Sequence, residues 1–108
     1  MPKLTTLVLA ATLSLGAILA TAPAFAAQYT IVLNHLKFGP VPTGLKVGDT
    51  IVWQNDDLFR HSATARDKSF DIDLPPAAKV SQVLATAGSF DFFCKFHPGM
   101  TGTLVIAP

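Results

Sequence analysis

The chain has 108 residues, enough for one small domain. Eight basic side chains stand against seven acidic ones, a formal net charge of +1. That balance gives no footing for nucleic-acid binding, which relies on a strong basic excess, and a single cysteine excludes an internal disulfide.

The N-terminus reads as a leader. From Leu4 to Ala20, "LTTLVLAATLSLGAILA" carries no charge, Lys3 precedes it and "APAFAA" follows. A basic start, an apolar run and small residues spaced A-x-A are the parts of a secretory signal peptide, here 1–26, with cleavage after Ala26. The run is near the lower limit of roughly 17–25 residues for a membrane anchor, and the small-residue exit favours cleavage. No cysteine at the exit invites lipid attachment, and no twin arginine precedes the run. Cleavage leaves a domain over 27–108 with seven basic and seven acidic side chains, every acid an aspartate. The expected location is the periplasm, as a monomer without stable membrane insertion.

The segments that follow read as strands. "YTIVLNHL" alternates, with Tyr29, Ile31 and Leu33 on one face, and His35 falls inside it. "GLKVGDT" is a short strand closed by a turn at Gly48-Asp49, and "TIVWQN" puts Ile51 and Trp53 on one face. "NDDLFRH" is a polar end loop. "SFDIDL" alternates and stops at Pro75-Pro76; "KVSQVLATAG" is extended to Gly88. "SFDFFC" places Phe90, Phe92 and Cys94 on one face, and "GTLVIAP" ends the chain. Seven or eight short strands punctuated by Gly, Pro and Asp predict an all-β, antiparallel Greek-key sandwich.

The chemistry lies in "FFCKFHPGM". Cys94, His97 and Met100 form C-x-x-H-x-x-M in a loop that Pro98 and Gly99 turn. Thiolate and thioether are soft donors that select copper, whereas zinc sites use Cys, His and carboxylates. Two histidines, one cysteine and a weak axial methionine make a blue-copper site, so a second histidine must come from elsewhere. His61, after the end loop, can meet the Cys94 loop at one end of a sandwich; His35 reads as a surface or edge residue. Against this stands the blander reading of a buried Cys94, a core Met100 and a surface His97. A Cys94–His97 nucleophile pair would need an orienting third group and a cleft, neither of which the sequence offers, so no enzyme activity is expected.

The segments "YTIVLNHLKFGP", "LKVGDTIVWQNDD", "HSAT" and "GSFDFFCKFHPGMTGTLVI" resemble the cupredoxin family of small blue-copper proteins over Tyr29 to Ile106. The two-residue gap between His97 and Met100 is similar to the short ligand loop of its amicyanin-like members. The resemblance implies one copper ion, cycling between Cu(II) and Cu(I), on His61, Cys94, His97 and Met100. It implies a soluble electron carrier whose partners, a dehydrogenase, cytochrome or oxidase, dock on an apolar patch of Phe96, Pro98 and Gly99 around His97. A layer of Trp53, Phe90 and Phe92 would exclude water, and Lys37 and Lys95 would tune partner choice. A copper-handling protein without a shuttle role is the alternative, and a metal-free interaction module a third. One departure stands out: many family members have Asn after the first histidine, where this chain has Ser62.

Overall fold

A computed structural model describes residues 2–6, 8–12, 14, 16 and 25–108. Much of the leader expected over 1–26 therefore lies outside the described residues. No helix among the described residues is long and apolar enough to cross a membrane.

The described residues form nine strands: β1 (Gln28–Asn34), β2 (Lys37–Phe38), β3 (Leu45–Lys46), β4 (Thr50–Asn55), β5 (His61–Ala65), β6 (Asp71–Leu74), β7 (Lys79–Val83), β8 (Gly88–Phe93) and β9 (Thr101–Ala107). They form two sheets, ordered β2-β1-β4-β7 and β3-β9-β8-β5-β6. This is the expected all-β sandwich, with nine strands against the seven or eight that the punctuation suggests. Both sheets are mixed, not wholly antiparallel. β1 runs parallel to β4, from Gln28 opposite Thr50 to Leu33 opposite Asn55, and β3 runs parallel to β9. The cause is the path between β1 and β4. The chain crosses to the second sheet to lay β3 on its edge, then returns. Alternation reports which face a side chain takes, not the direction of the neighbouring strand.

The alternating residues become the core. Ile31 and Leu33 of β1 and Ile51 and Trp53 of β4 are fully buried against Phe92 and Leu104 of β8 and β9. Phe92 meets Phe38 and Trp53 edge-on, with ring centroids 4.8 and 5.2 Å apart. Edge-to-face pairs add about 0.5–1.5 kcal/mol each beyond the area they bury. Trp53 carries a polar N–H into this core, and it donates to Gln82 Oε1 at 2.9 Å. Phe90 shares the inward face but is only partly buried, since it lines a cavity with Phe70, Leu84 and Ile106 toward the far end of β8.

Strand β5 has no alternation to announce it: all five residues of "HSATA" are buried. It lies between β8 and β6, and its outward Ser62 and Thr64 are covered by a polar chain. Ser62 Oγ and Thr64 Oγ1 are 2.9 Å apart, Thr64 Oγ1 donates to Asp71, and Asp71 also pairs with Lys95. A strand covered on both faces loses the period-two signal.

His35 is not inside the first strand. It forms, with Leu36, the two-residue turn between β1 and β2, and both have positive φ, 53° and 57°. A two-residue hairpin of this kind needs positive φ at both positions and favours Asn-Gly. His-Leu is a strained choice that surrounding contacts must hold.

At the opposite end the expected Gly48-Asp49 turn is present, and it buries its carboxylate. Asp49 accepts the amides of Ala27 and Lys46 at 2.8 and 2.9 Å and is fully inaccessible to solvent. The Ala27 and Lys46 amides, opposed by burial, hold its carboxyl below its ordinary 3.8. A depressed folded value means that Asp49 stabilises the fold fully above the ordinary pKa, and that this contribution disappears as pH falls through the depressed one. The melting temperature should therefore fall as pH drops below about 4, and by less in Asp49→Asn. Parallel melting curves against pH for the two proteins would contradict the assignment.

Candidate metal centre

His61 opens β5, and Cys94, His97 and Met100 lie in the loop from β8 to β9. Because β5 pairs with β8, antiparallel from Thr64 opposite Phe93, His61 is carried to the end of the sheet where Cys94 emerges. The loop is closed on itself: Cys94 N–H donates to Met100 O at 3.1 Å, and Met100 N–H to His97 O at 2.9 Å. Pro98 and Gly99 fill the turn, with Gly99 in open space.

Three donor atoms converge. His61 Nδ1 and His97 Nδ1 are 3.1 Å apart, and Cys94 Sγ lies 3.7 and 3.8 Å from them. The point equidistant from these corners is about 2.1 Å from each, within the roughly 2.0–2.3 Å of metal–nitrogen and metal–sulfur bonds. The donor set thus fits a transition-metal ion without moving a side chain. Cys94 and His61 are fully buried, His97 is half-buried, and Met100 is buried beside Cys94 in the same core cluster. Such a thiol is shielded rather than free to be oxidised. His35, exposed in its turn, contributes no ring atom to the cluster.

Asp57 was hidden in the sequence by its polar loop. Its Oδ2 sits 2.8 Å from His61 Nε2 and 2.9 Å from the Leu36 amide, while Oδ1 accepts the His35 amide at 2.8 Å. Burial disfavours its charge, but the Leu36 amide, the His61 ring and the His35 amide outweigh that and hold its carboxyl below the usual range. An ionised acceptor at Nε2 places the proton there and leaves the Nδ1 lone pair facing the cluster. The same carboxylate ties down the strained His35-Leu36 turn. The signal available in the sequence was an aspartate four residues before a candidate donor histidine. Asn55 braces this loop, with its amide donating to Phe59 O and Leu74 O and its oxygen accepting the Asp57 amide.

Asp57→Asn offers one acceptor oxygen to three donors. Its expected result is a metal affinity about 10–100-fold weaker. With the buried His61 Nε2–H left unmet, the metal-free protein should also lose about 1–3 kcal/mol of stability, whereas the His35 and Leu36 amides stand on exposed residues and can turn to water. Titration calorimetry and thermal unfolding check both parts; an unchanged affinity would remove the role given to Asp57.

Ser62 makes the cross-loop link despite being shorter than Asn. Its Oγ accepts the Lys95 amide at 2.9 Å, and its own amide points at Cys94 Sγ at 3.4 Å. Lys95 is committed to Asp71 at 2.8 Å. Its charge is therefore partly spent inside the domain, whereas Lys37 lies exposed on β2.

The surface over His97 is broader than Phe96, Pro98 and Gly99. Phe59 stands edge-on to the His97 ring at 6.1 Å, and Leu58 beside it is 90% exposed. Phe59 and Phe96 are also exposed, and the Arg60 guanidinium lies over the Phe96 ring while gripping Asp73.

Comparison with known proteins agrees with this fold. The model of the cupredoxin-like domain matches residues 4–106. Amicyanin from Paracoccus versutus is 24% identical over 81% of this chain and 86% of its own, with a TM-score of 0.62. A purple cupredoxin from Nitrosopumilus maritimus is 21% identical over 73% of this chain and 99% of its own, with a TM-score of 0.64. A copper-containing nitrite reductase from Thermus scotoductus is 21% identical over 75% of this chain but only 22% of its own, with a TM-score of 0.65. At these identities the solved structures speak for the fold. With the family model spanning almost the whole sequence, the chain belongs to the cupredoxin-like family.

Proposed function

We propose that this protein is a type I copper electron carrier. The ion would be held by His61 Nδ1, Cys94 Sγ and His97 Nδ1, with Met100 as a weak fourth donor. The observation that carries the proposal is the convergence of two imidazole nitrogens and one buried thiol on a common point at metal-bond distance. Copper in such a site supplies reversible one-electron chemistry between Cu(II) and Cu(I).

The rest is the work of the chain. Asp57 fixes the His61 tautomer, and the Ser62 amide draws charge from the Cys94 sulfur. The two backbone bonds of the Cys94–Met100 loop hold the donors in one arrangement. A frame already set to bind keeps ligand motion small between charge states, which suits fast exchange. Half-buried His97 sits under the Leu58, Phe59 and Phe96 surface. An apolar patch of this kind suits a weak, brief contact with a redox protein, a cytochrome, dehydrogenase or oxidase. The protein would act as a carrier in its own right, not as an enzyme. The nitrite reductase match covers a small part of a larger catalytic chain.

The proposal includes export to the periplasm, with a leader removed after Ala26 and a monomeric domain over 27–108. Support comes from the sequence pattern of the leader and from the start of the fold: Ala26 is exposed, and β1 begins at Gln28. The carrier role is tested by mixing the reduced, copper-loaded protein with an oxidised c-type cytochrome in a stopped-flow instrument. Rapid, reversible electron exchange is expected, slowed when Phe59 and Phe96 are replaced by serine. A loaded protein that exchanges no electrons but passes copper to an apo-acceptor would instead establish the copper-handling role.

A further inference from the structure

The Asp49 carboxylate is buried at the end of the sandwich far from the metal centre, and the copper chemistry makes no use of it. One of its two partners is the backbone nitrogen of Ala27, at 2.8 Å from Oδ1. Ala27 is held from its other side too, since its carbonyl accepts the Thr50 amide at 2.9 Å. Ala26, one residue earlier, is exposed. The first anchored atom of the fold is thus the atom that cleavage after Ala26 would free.

We infer that Asp49 is a built-in binding site for the chain's own processed N-terminus, pairing with the α-ammonium group of Ala27. This rests on the leader reading proposed above. In the precursor the donor is a neutral amide. Hydrolysis of the Ala26–Ala27 peptide bond by water leaves a carboxylate on Ala26 and a protonated amine on Ala27 at the same position. The hydrogen bond then becomes an ion pair to a carboxylate already stripped of water, and charge-assisted bonds are about twice as strong as neutral ones. The other charged side chain acting on Asp49 among the described residues is Lys46, which is exposed and bonds the carboxylate only through its backbone amide. The ammonium therefore meets one buried counter-charge. Processing would lock β1 against β4.

The sign follows from linkage. A partnered α-amine titrates above its ordinary value of about 8, so its added stability is full below pH 8 and is lost as pH rises through the raised value. Three forms separate the outcomes: the full chain, the chain cut to begin at Ala27, and that cut chain with an enzymatically acetylated α-amine. Every strand among the described residues lies between Gln28 and Ala107, so the cut chain keeps the whole sandwich described above. The free-amine form should melt several degrees above the acetylated form at pH 7, and the gap should close by about pH 10. NMR titration of Ala27 should give an α-amine raised by about one unit or more. Equal melting points at pH 7 together with an ordinary α-amine value would overturn the Asp49 site. The leader is judged separately by N-terminal sequencing of protein exported from the full gene. A first residue of Ala27 supports the proposal, and any other first residue overturns the claim that processing loads the site, whatever the cut chain shows.

Discussion

Replacing His61 with alanine is expected to abolish the blue-copper site, while replacing His35 leaves it unchanged. The two histidines separate cleanly in the structure. His61 is fully buried with Nδ1 in the donor cluster and Nε2 on Asp57, and His35 stands exposed in a turn. Removing His61 deletes one of three converging donors and leaves Asp57 without its ring partner. Loss of an outer partner alone costs about 10–100-fold in metal affinity, so loss of a proposed donor should exceed that. Copper titration followed by visible absorption checks both variants. His35→Ala removes only a ring, since the turn bonds to Asp57 through the His35 backbone amide. Blue colour that survives in His61→Ala, or vanishes in His35→Ala, would reassign the site.

Gly102→Ala should be the most destabilising single methyl in the protein's second sheet. Gly102 of β9 faces Phe92 of β8, and a Cβ built there collides with Phe92 Cζ and lies 2.8 Å from Cε2. The ring has nowhere to retreat. It is fully buried, it meets Phe38 and Trp53 edge-on, and Trp53 is pinned by Gln82. Overpacking a dense core costs about 1–3 kcal/mol and sometimes more. For a domain of this size each kcal/mol moves the melting temperature by about 4–8 °C, so a drop of roughly 4–24 °C is expected. Phe92 is two residues from Cys94, so metal affinity should weaken as well. Gly99→Ala is the control, because a Cβ there meets nothing within 4 Å. A Gly102→Ala protein that melts with its parent would mean that β8 and β9 yield more freely than the aromatic packing allows.

These expectations show where a sequence is informative and where it is not. The paired faces of "TIVWQN" and "SFDFFC" were legible because one face of each strand meets the core. The candidate donors of the loop stood out for a different reason: a lone cysteine, a histidine and a methionine at equal spacing have few other uses together, and the structure brings Cys94 and His97 together with His61. Strand β5 was not legible, because both its faces are covered and "HSATA" shows no period. The parallel pairing of β1 with β4 was hidden too, since it depends on where β3 lies and not on any residue of either strand. Asp57 was read as part of a polar loop. Its contacts to His35, Leu36 and His61 join positions 22, 21 and 4 residues away, and no local pattern carries such a meeting. The Ser62 link fell in the same class, because its partner Lys95 is 33 residues distant.

In the proposed type I site, Cys94, His61 and His97 hold one copper ion. The most direct measurement adds one equivalent of Cu(II) to the metal-free protein and records the visible spectrum, with Cys94→Ser alongside. An intense thiolate-to-copper absorption is expected, saturating at one ion per chain and absent from Cys94→Ser. A colourless adduct in the parent protein, or the same spectrum in both, would contradict the proposed site.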